Sequence, residues 1–147
     1  MDISKVNILG TCIALYILLL CILIFIFRLV GQSKIEYWLG VFFMLSLFPM
    51  IYLLITANEF YRPGIYYVQI VIMLIFIIVE LLFDYIFRLD FRNIKWMTIG
   101  YAILFFASTG GMIGLASVTG KFSTIIAVIL YIIMSFLAIF QRIKTGM

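Results

Sequence analysis

The sequence contains no histidine. This absence excludes a Ser-His-Asp triad, an HExxH zinc site and any haem or di-iron centre with histidine ligands. The phosphate-binding patterns GxxxxGK[ST] and GxGxxG are missing too, so the usual nucleotide cradles are excluded. Cysteine is scarce, and on a helix Cys12 and Cys21 would lie about 13 Å apart on opposite faces, too far to form a disulfide. We therefore expect no metal and no cofactor.

Charged residues are scarce as well. They make up 11% of the chain, whereas soluble domains contain about 25%. Hydrophobic residues account for 67%, and the mean hydropathy is +1.33. So little polar surface cannot cover a water-soluble globule, and we expect an integral membrane protein, placed in the plasma (cytoplasmic) membrane with the lipid bilayer as its main partner. Nucleic-acid binding is not expected, because the position of the charges explains the net charge of +4.

Five long apolar runs are what the sequence does contain. Each is close to the ~20 residues that cross a hydrocarbon core of about 30 Å. Backbone groups cannot stay unsatisfied in lipid, so these runs should be helices. No connection exceeds about ten residues, and we expect no soluble domain. The prediction is an all-α polytopic membrane protein, with one transmembrane domain over residues 1–147 and spans at 8–28, 37–57, 65–87, 97–118 and 122–140.

The ten lysines and arginines are distributed unevenly between the two sides of this predicted bundle. The N-terminal segment and the second and fourth connections contain Lys5, Arg62 and Lys121. The first and third connections and the C-terminal segment contain Arg28, Lys34, Arg88, Arg92, Lys95, Arg142 and Lys144. Because Lys and Arg are enriched in cytoplasmic loops, we expect the N-terminus outside and the C-terminus in the cytoplasm. The third connection, RLDFRNIKW, is interpreted as an ordinary positive-inside loop with interfacial aromatic anchors.

The stretch VELLFDYIFR, residues 79–88, places acidic side chains within the third apolar run. On an α-helix, Glu80, Asp84 and Arg88 would form one line toward the cytoplasmic end. Asp84 and Arg88 have the favourable order for a helical ion pair. Glu80 lies about two turns inside the membrane, where desolvation and the nearby Asp84 both disfavour its ionised form. We expect Glu80 to be protonated much of the time, or paired with a group on another helix.

Two roles for Glu80 are open on this pattern. An acid within the bilayer costs about 2.5–3.5 kcal/mol on insertion scales, which makes it a functional-site candidate by default. In a small bundle, a buried glutamate can also serve as a structural cross-link between helices. Ser46 and Tyr101 are the best hydrogen-bond candidates at a similar depth. With Glu80 and Asp84 they form the predicted ligand or proton site, and Arg88 is its charge partner.

The fourth apolar run contains the small-residue stretch ASTGGMIGLASVTG. Small side chains let membrane helices approach closely, so this pattern predicts a packing surface within the chain or between copies. Its members are Ala107, Gly110, Gly111, Gly114 and Ser117. The alternative is a helix unwound at Gly110 and Gly111, whose exposed backbone binds a ligand.

Pro49 lies near the middle of the second apolar run. It cannot donate a hydrogen bond to the carbonyl of Leu45, so we expect a helix kink. Ser46, one turn earlier, can bond to the backbone and ease the break. A role in setting the shape of the bundle is favoured over a direct role in function.

Three functions from different classes fit these features. The favoured one is ligand binding or transport, with Glu80 as an intramembrane site that responds to protons or cations, in a protein that forms a homo-oligomer or joins a membrane partner. The second is an accessory subunit of a membrane complex that packs through the glycine-rich helix. The third is a lipid-active enzyme that uses Glu80 and Asp84 at the cytoplasmic interface. It is the least favoured because no strong nucleophile or metal set accompanies these acids, so we lean toward a protein that is not an enzyme.

Overall fold

The computed structural model describes residues 2–88 and 93–146, and within these ranges the chain is helical and contains no strand. These two ranges contain six α-helices and one π-helical segment. They are α1 (Ile3–Val30), α2 (Ser33–Leu45), α3 (Leu47–Glu59), α4 (Gly64–Glu80), the π segment (Leu81–Ile86), α5 (Lys95–Ser117) and α6 (Lys121–Thr145). Gly31 ends α1 in the left-handed conformation, with φ of 78°, which a residue without Cβ adopts at little cost.

Five helices among the described residues are long and apolar enough to cross a membrane, which confirms the predicted all-helical class and the predicted number of long apolar helices and indicates an integral membrane protein. These helices are Ile3–Val30, Ser33–Glu59, Gly64–Ile86, Lys95–Ser117 and Lys121–Thr145. Their ends differ from the predicted runs by at most five residues. The first and last helices, for example, continue through polar residues until Gly31 and Gly146 end them. The centre of the RLDFRNIKW connection, residues 89–92, lies outside the described residues.

The second span is interrupted at Ser46, three residues before Pro49. Helix α2 ends at Leu45 and α3 begins at Leu47. The Ser46 backbone N–H donates to the carbonyl of Phe43 over 3.1 Å, and its hydroxyl donates to the same oxygen over 2.6 Å. The chain thus forms a tightened turn just before Pro49, where a break is expected because Pro removes a helical hydrogen bond.

The third span does not continue as an α-helix through its acidic end, contrary to the single α-helical line predicted for its charges. After Glu80 the backbone forms the π segment, and the Phe87 N–H donates to the Leu82 carbonyl, five residues back, over 2.8 Å. Arg88 lies beyond the helix in the left-handed region, with φ of 48°. The wider turn re-aims the side chains that follow Glu80, and π-helical turns often occur at functional sites.

Helix α1 is the centre of the bundle and packs against α2, α3, α5 and α6. Its middle is fully buried at Ala14, Ile17 and Leu18. Helix α6 lies at the outside, and a stripe of large apolar side chains faces away from the bundle. The most exposed members of that stripe are Phe122, Ile132, Phe136 and Ile143. An all-apolar outer face is what a helix presents to lipid.

Helix α5 is continuous through Gly110 and Gly111, and Gly110, Gly111 and Gly114 face neighbouring helices of the same chain. A Cβ added at Gly114 would lie 1.9 Å from Nε2 of Gln69 on α4, and one at Gly111 would lie 3.5 Å from the Gln69 Cα. Gly110 faces Tyr131 of α6. Two further members of the predicted surface, Ala107 and Ser117, are exposed. The glycine face is thus occupied by intrachain packing.

We call the end of the bundle where α1 begins the Asn7 end. Polar side chains join neighbouring segments there. Arg62 Nη2 donates to Asn7 Oδ1, and the Thr11 and Thr119 hydroxyls share a hydrogen bond. Thr119 also donates to the Asn7 carbonyl over 3.2 Å. These contacts join the start of α1 to the α3–α4 and α5–α6 connections.

Candidate functional site

The opposite end of the bundle, where α1 ends, contains an ion pair between the first two spans. We call it the Arg28 end. Gly31 and Gln32 reverse the chain, so that α2 returns directly beside α1. Arg28 Nη2 and Nε each lie 2.6 Å from Oε1 of Glu36. Both side chains are mostly covered, with 19% and 25% exposed, so solvent weakens this pair less than a surface pair.

Glu80 is connected to the fourth span. The Tyr101 hydroxyl, on α5, donates a hydrogen bond to Oε2 of Glu80 at the end of α4. The Tyr101 ring packs against the buried Phe76, with ring centroids 5.6 Å apart. Phe76 lies one helical turn before Glu80, so the same α4 surface supports both the ring and the acid that its hydroxyl contacts.

Tyr85, in the π segment, crosses to the second span. Its hydroxyl donates to the Tyr37 carbonyl over 3.3 Å, and the two rings are 5.5 Å apart. This position requires a glycine at residue 40, because a Cβ there would lie 1.8 Å from the Tyr85 Oη. The contact between Tyr85 and Gly40 brings the π segment against α2 and closes one wall of the space beside Glu80.

These elements enclose a cavity of about 430 Å³, which we call the charged cavity. It has the size of a small-molecule site. Its charged lining comes from the first three spans and from the short segment after the third span. These residues are Arg28, Glu36, Glu80, Asp84 and Arg88. Among the described residues, three carboxylates and two guanidinium groups therefore face one space. Among these groups, Arg28 pairs with Glu36.

The structure brings most of the predicted site residues together. Glu80, Asp84 and Arg88 all line the charged cavity, although Arg88 lies beyond the helix, and Tyr101 contacts Glu80 directly. Ser46 is not among the described residues that line this cavity. It is 2% exposed, and its hydroxyl donates to the Phe43 carbonyl within its own turn, at the helix break before Pro49.

Sequence reasoning did not assign Arg28, Glu36, Gly40 and Tyr85 to the site. A signal existed for the first two, because opposite charges that flank a glycine-containing reversal between two spans can meet at the same membrane surface. Gly40 was an isolated glycine in an apolar helix, which indicates a close approach without naming the partner. Tyr85 had no sequence signal, since its position depends on the π segment.

Two smaller spaces adjoin the charged cavity, and Arg28 lines both. One, of about 30 Å³, lies between Arg28, Glu80 and Tyr101 and is large enough for a water molecule. The other, of about 140 Å³, lies between α1, α5 and α6. Within residues 2–88 and 93–146, no group of three or more His, Cys, Asp or Glu side chains is arranged to hold a metal ion.

Comparison of the chain with protein-family models, with curated proteins and with solved structures finds no match in any of the three. No family assignment therefore bears on the site.

Proposed function

We propose that the protein binds a small cationic solute in the charged cavity, in a binding or transport role, and that Glu80 exchanges a proton as the solute binds. The observation that carries this proposal is the convergence of Glu80, Asp84 and the Arg28–Glu36 pair on one space of about 430 Å³. Acids within a membrane span are rare and usually face a functional cavity.

The acidic side chains of the cavity favour a cation. Glu80 and Asp84 of the third span both line it, and carboxylate groups in a cleft attract positively charged solutes. A solute cation beside Glu80 would stabilise its carboxylate, whereas without the cation the same group is more easily protonated. Tyr101 supports either form, because a hydroxyl can donate to a carboxylate or accept from a carboxylic acid.

The distribution of lysine and arginine gives the proposed orientation of the protein in the membrane. Most of the lysines and arginines lie at the Arg28 end, so we assign that end to the cytoplasm and the protein to the plasma membrane. The charged cavity would then be reached from the cytoplasmic side. Transport would require several copies or a partner, because an odd number of spans does not form two equal inverted halves.

An accessory role remains the second hypothesis, but the surface that would dock a partner differs from the predicted one. Gly111 and Gly114 are occupied by Gln69 of the same chain, so a partner would have to dock elsewhere. The lipid-active enzyme hypothesis gains no specific support from the cavity.

Proton release on cation binding tests the proposed function. Purified protein in weakly buffered detergent solution is titrated with tetramethylammonium chloride, and separately with sodium chloride, while a pH electrode records the proton change. We expect wild type to release protons in a saturable way with at least one of the two cations. Glu80→Gln should abolish the release because it removes the titrating carboxyl, and Glu59→Gln, the same change at the exposed end of α3, should preserve it.

Infrared difference spectra assign the proton. A carboxyl band that changes on addition of the cation and is missing in Glu80→Gln would identify Glu80 as its source. Equal release by wild type and Glu80→Gln, or none with either salt, would contradict the proposal. If wild type releases no proton and Glu80→Gln lowers the thermal stability, Glu80 is a structural cross-link between helices.

A further inference from the structure

A groove separate from the charged cavity lies between α1, α5 and α6 at the Arg28 end. Its volume is about 140 Å³. Its walls are mainly apolar and include Phe105, Phe106, Ala138 and Ile139. Ile139 is 56% exposed, so the groove opens outward between two helices that are apolar enough to lie in a membrane.

Cationic side chains lie at the polar end of this groove. Arg142, in the last turn of α6, is exposed and lines it, and so does Arg28. The ion pair with Glu36 engages Nε and Nη2 of Arg28, and a guanidinium group carries five N–H donors in all. No acidic side chain is among the described residues that line the groove. An apolar slot with two arginines at its polar end is complementary to an anionic amphiphile.

We infer that this groove binds a single anionic phospholipid, with its phosphate at Arg28 and Arg142 and the upper part of one acyl chain against Phe105, Phe106 and Ile139. A basic recess between membrane helices is a recurring form of phospholipid site. The apolar walls distinguish this ligand from a free phosphate ion, which has nothing to bury there. The inference does not depend on the function proposed for the charged cavity.

Arg28 gives this site a connection to the ion pair at the start of the second span. The same guanidinium group lines the lipid groove and the charged cavity. A phosphate at Arg28 would compete with Glu36 for its donors. Lipid occupancy would therefore shift the charge balance that Glu80 experiences.

Native mass spectrometry of the full chain in detergent tests the inference. The protein is titrated with palmitoyl-oleoyl-phosphatidylglycerol, which is anionic, and with the matching phosphatidylcholine, which has no net charge. We expect tighter binding of the anionic lipid to wild type. Arg142→Gln should weaken that binding about tenfold, the scale of one lost charge-assisted hydrogen bond. Lys144→Gln, which neutralises an exposed cation in the same turn outside the groove, should bind like wild type.

A second pair of variants tests the apolar part without changing charge. Ala138→Phe fills the groove and should weaken phosphatidylglycerol binding, whereas Ala107→Phe, the same change at an exposed α5 position, should leave it unchanged. Excess inorganic phosphate should not displace the lipid. Equal weakening by Arg142→Gln and Lys144→Gln, insensitivity to Ala138→Phe, or displacement by phosphate would each overturn the inference.

Discussion

At the Asn7 end of the bundle, short hydroxyl side chains and Arg62 bond directly to neighbouring segments, whereas at the Arg28 end, charged side chains line a cavity. The Thr119 hydroxyl donates to the Asn7 carbonyl over 3.2 Å, and the Ser123 hydroxyl donates to the Ala116 carbonyl over 2.8 Å. At the other end, the charged groups surround a cavity of about 430 Å³. Both ends belong to the same five spans.

The difference follows from side-chain length and hydration. A threonine or serine hydroxyl reaches a carbonyl only when two backbones are close, so these residues hold helices in contact. Long charged side chains can reach across a wider gap between helices, and their charged groups are stable only near water or a counter-ion. We therefore expect less water among the helices at the Asn7 end than in the charged cavity.

Water access to thiols should differ most strongly between the two ends. In a chain with Cys12→Ala and Cys21→Ala, we compare Ile24→Cys, which lines the charged cavity, with Leu9→Cys, which is half-buried near the Asn7 end. A maleimide reacts with the thiolate, whose formation requires hydration. Since a charge within lipid costs about 2.5–3.5 kcal/mol, we expect Ile24→Cys to react on the order of a hundredfold faster.

The labelling rates are measured in vesicles with a charged, membrane-impermeant maleimide added to both sides. Denatured samples give the control, because both thiols should then react equally. Similar rates in the folded protein would mean that the two ends are equally open or equally closed, and the comparison would fail.

The helical class and the five long apolar helices could be predicted from the sequence, because each apolar run is specified locally. An apolar run of membrane length must be helical, whatever it packs against. The contact of Tyr101 with Glu80 was also within reach, since a buried acid requires a polar neighbour and Tyr101 lay at a similar depth. Placing Ser46 beside Glu80 had the same basis, but the broken backbone near Pro49 uses its hydroxyl.

The remaining details depend on contacts between distant residues. The π segment changes the direction of Tyr85, and Tyr85 reaches the second span only because residue 40 is glycine. Nothing in the sequence indicated that Gln69 of α4 packs against Gly111 and Gly114 of α5. A pattern on one helix indicates a close contact, but it does not identify the residue on the other helix.

Substitution of Gly40 should break the wall of the charged cavity. In Gly40→Ala, the new methyl group would lie 1.8 Å from the Tyr85 Oη and 3.1 Å from its Cζ, so the ring must move and lose its bond to the Tyr37 carbonyl. We expect a loss of about 1–3 kcal/mol in the free energy of unfolding, the usual scale for overpacking. Unfolding in mixed micelles, followed by circular dichroism, measures it.

Gly100→Ala is the matched control for this change. Gly100 lies in α5, and a Cβ there meets nothing within 4 Å. Stability should therefore be unchanged or slightly higher, since alanine favours a helix more than glycine does. Equal losses in the two variants would show that Tyr85 does not press against Gly40.

The smallest expected effect is at the Asn7 end, where single neutral hydrogen bonds are tested. Thr11→Val keeps the shape of the side chain and removes the bond between the Thr11 and Thr119 hydroxyls. Hydrogen bonds between membrane helices contribute about 0.6 kcal/mol on average, and we expect a loss of that size. Thr124→Val is the control, because the Thr124 hydroxyl donates to the Gly120 carbonyl one turn earlier in the chain and joins no second helix.

A double-mutant cycle with Thr119→Val separates the energy of the hydrogen bond between Thr11 and Thr119 from the local effects of each substitution. If the two hydroxyls stabilise the end together, the second substitution should cost less in the Thr11→Val background than alone. Losses that simply add, or a Thr124→Val loss as large as that of Thr11→Val, would show that these hydroxyls do not hold the helices together. The helices at the Asn7 end would then be held together by apolar packing. The two ends would differ only in where the charged side chains lie.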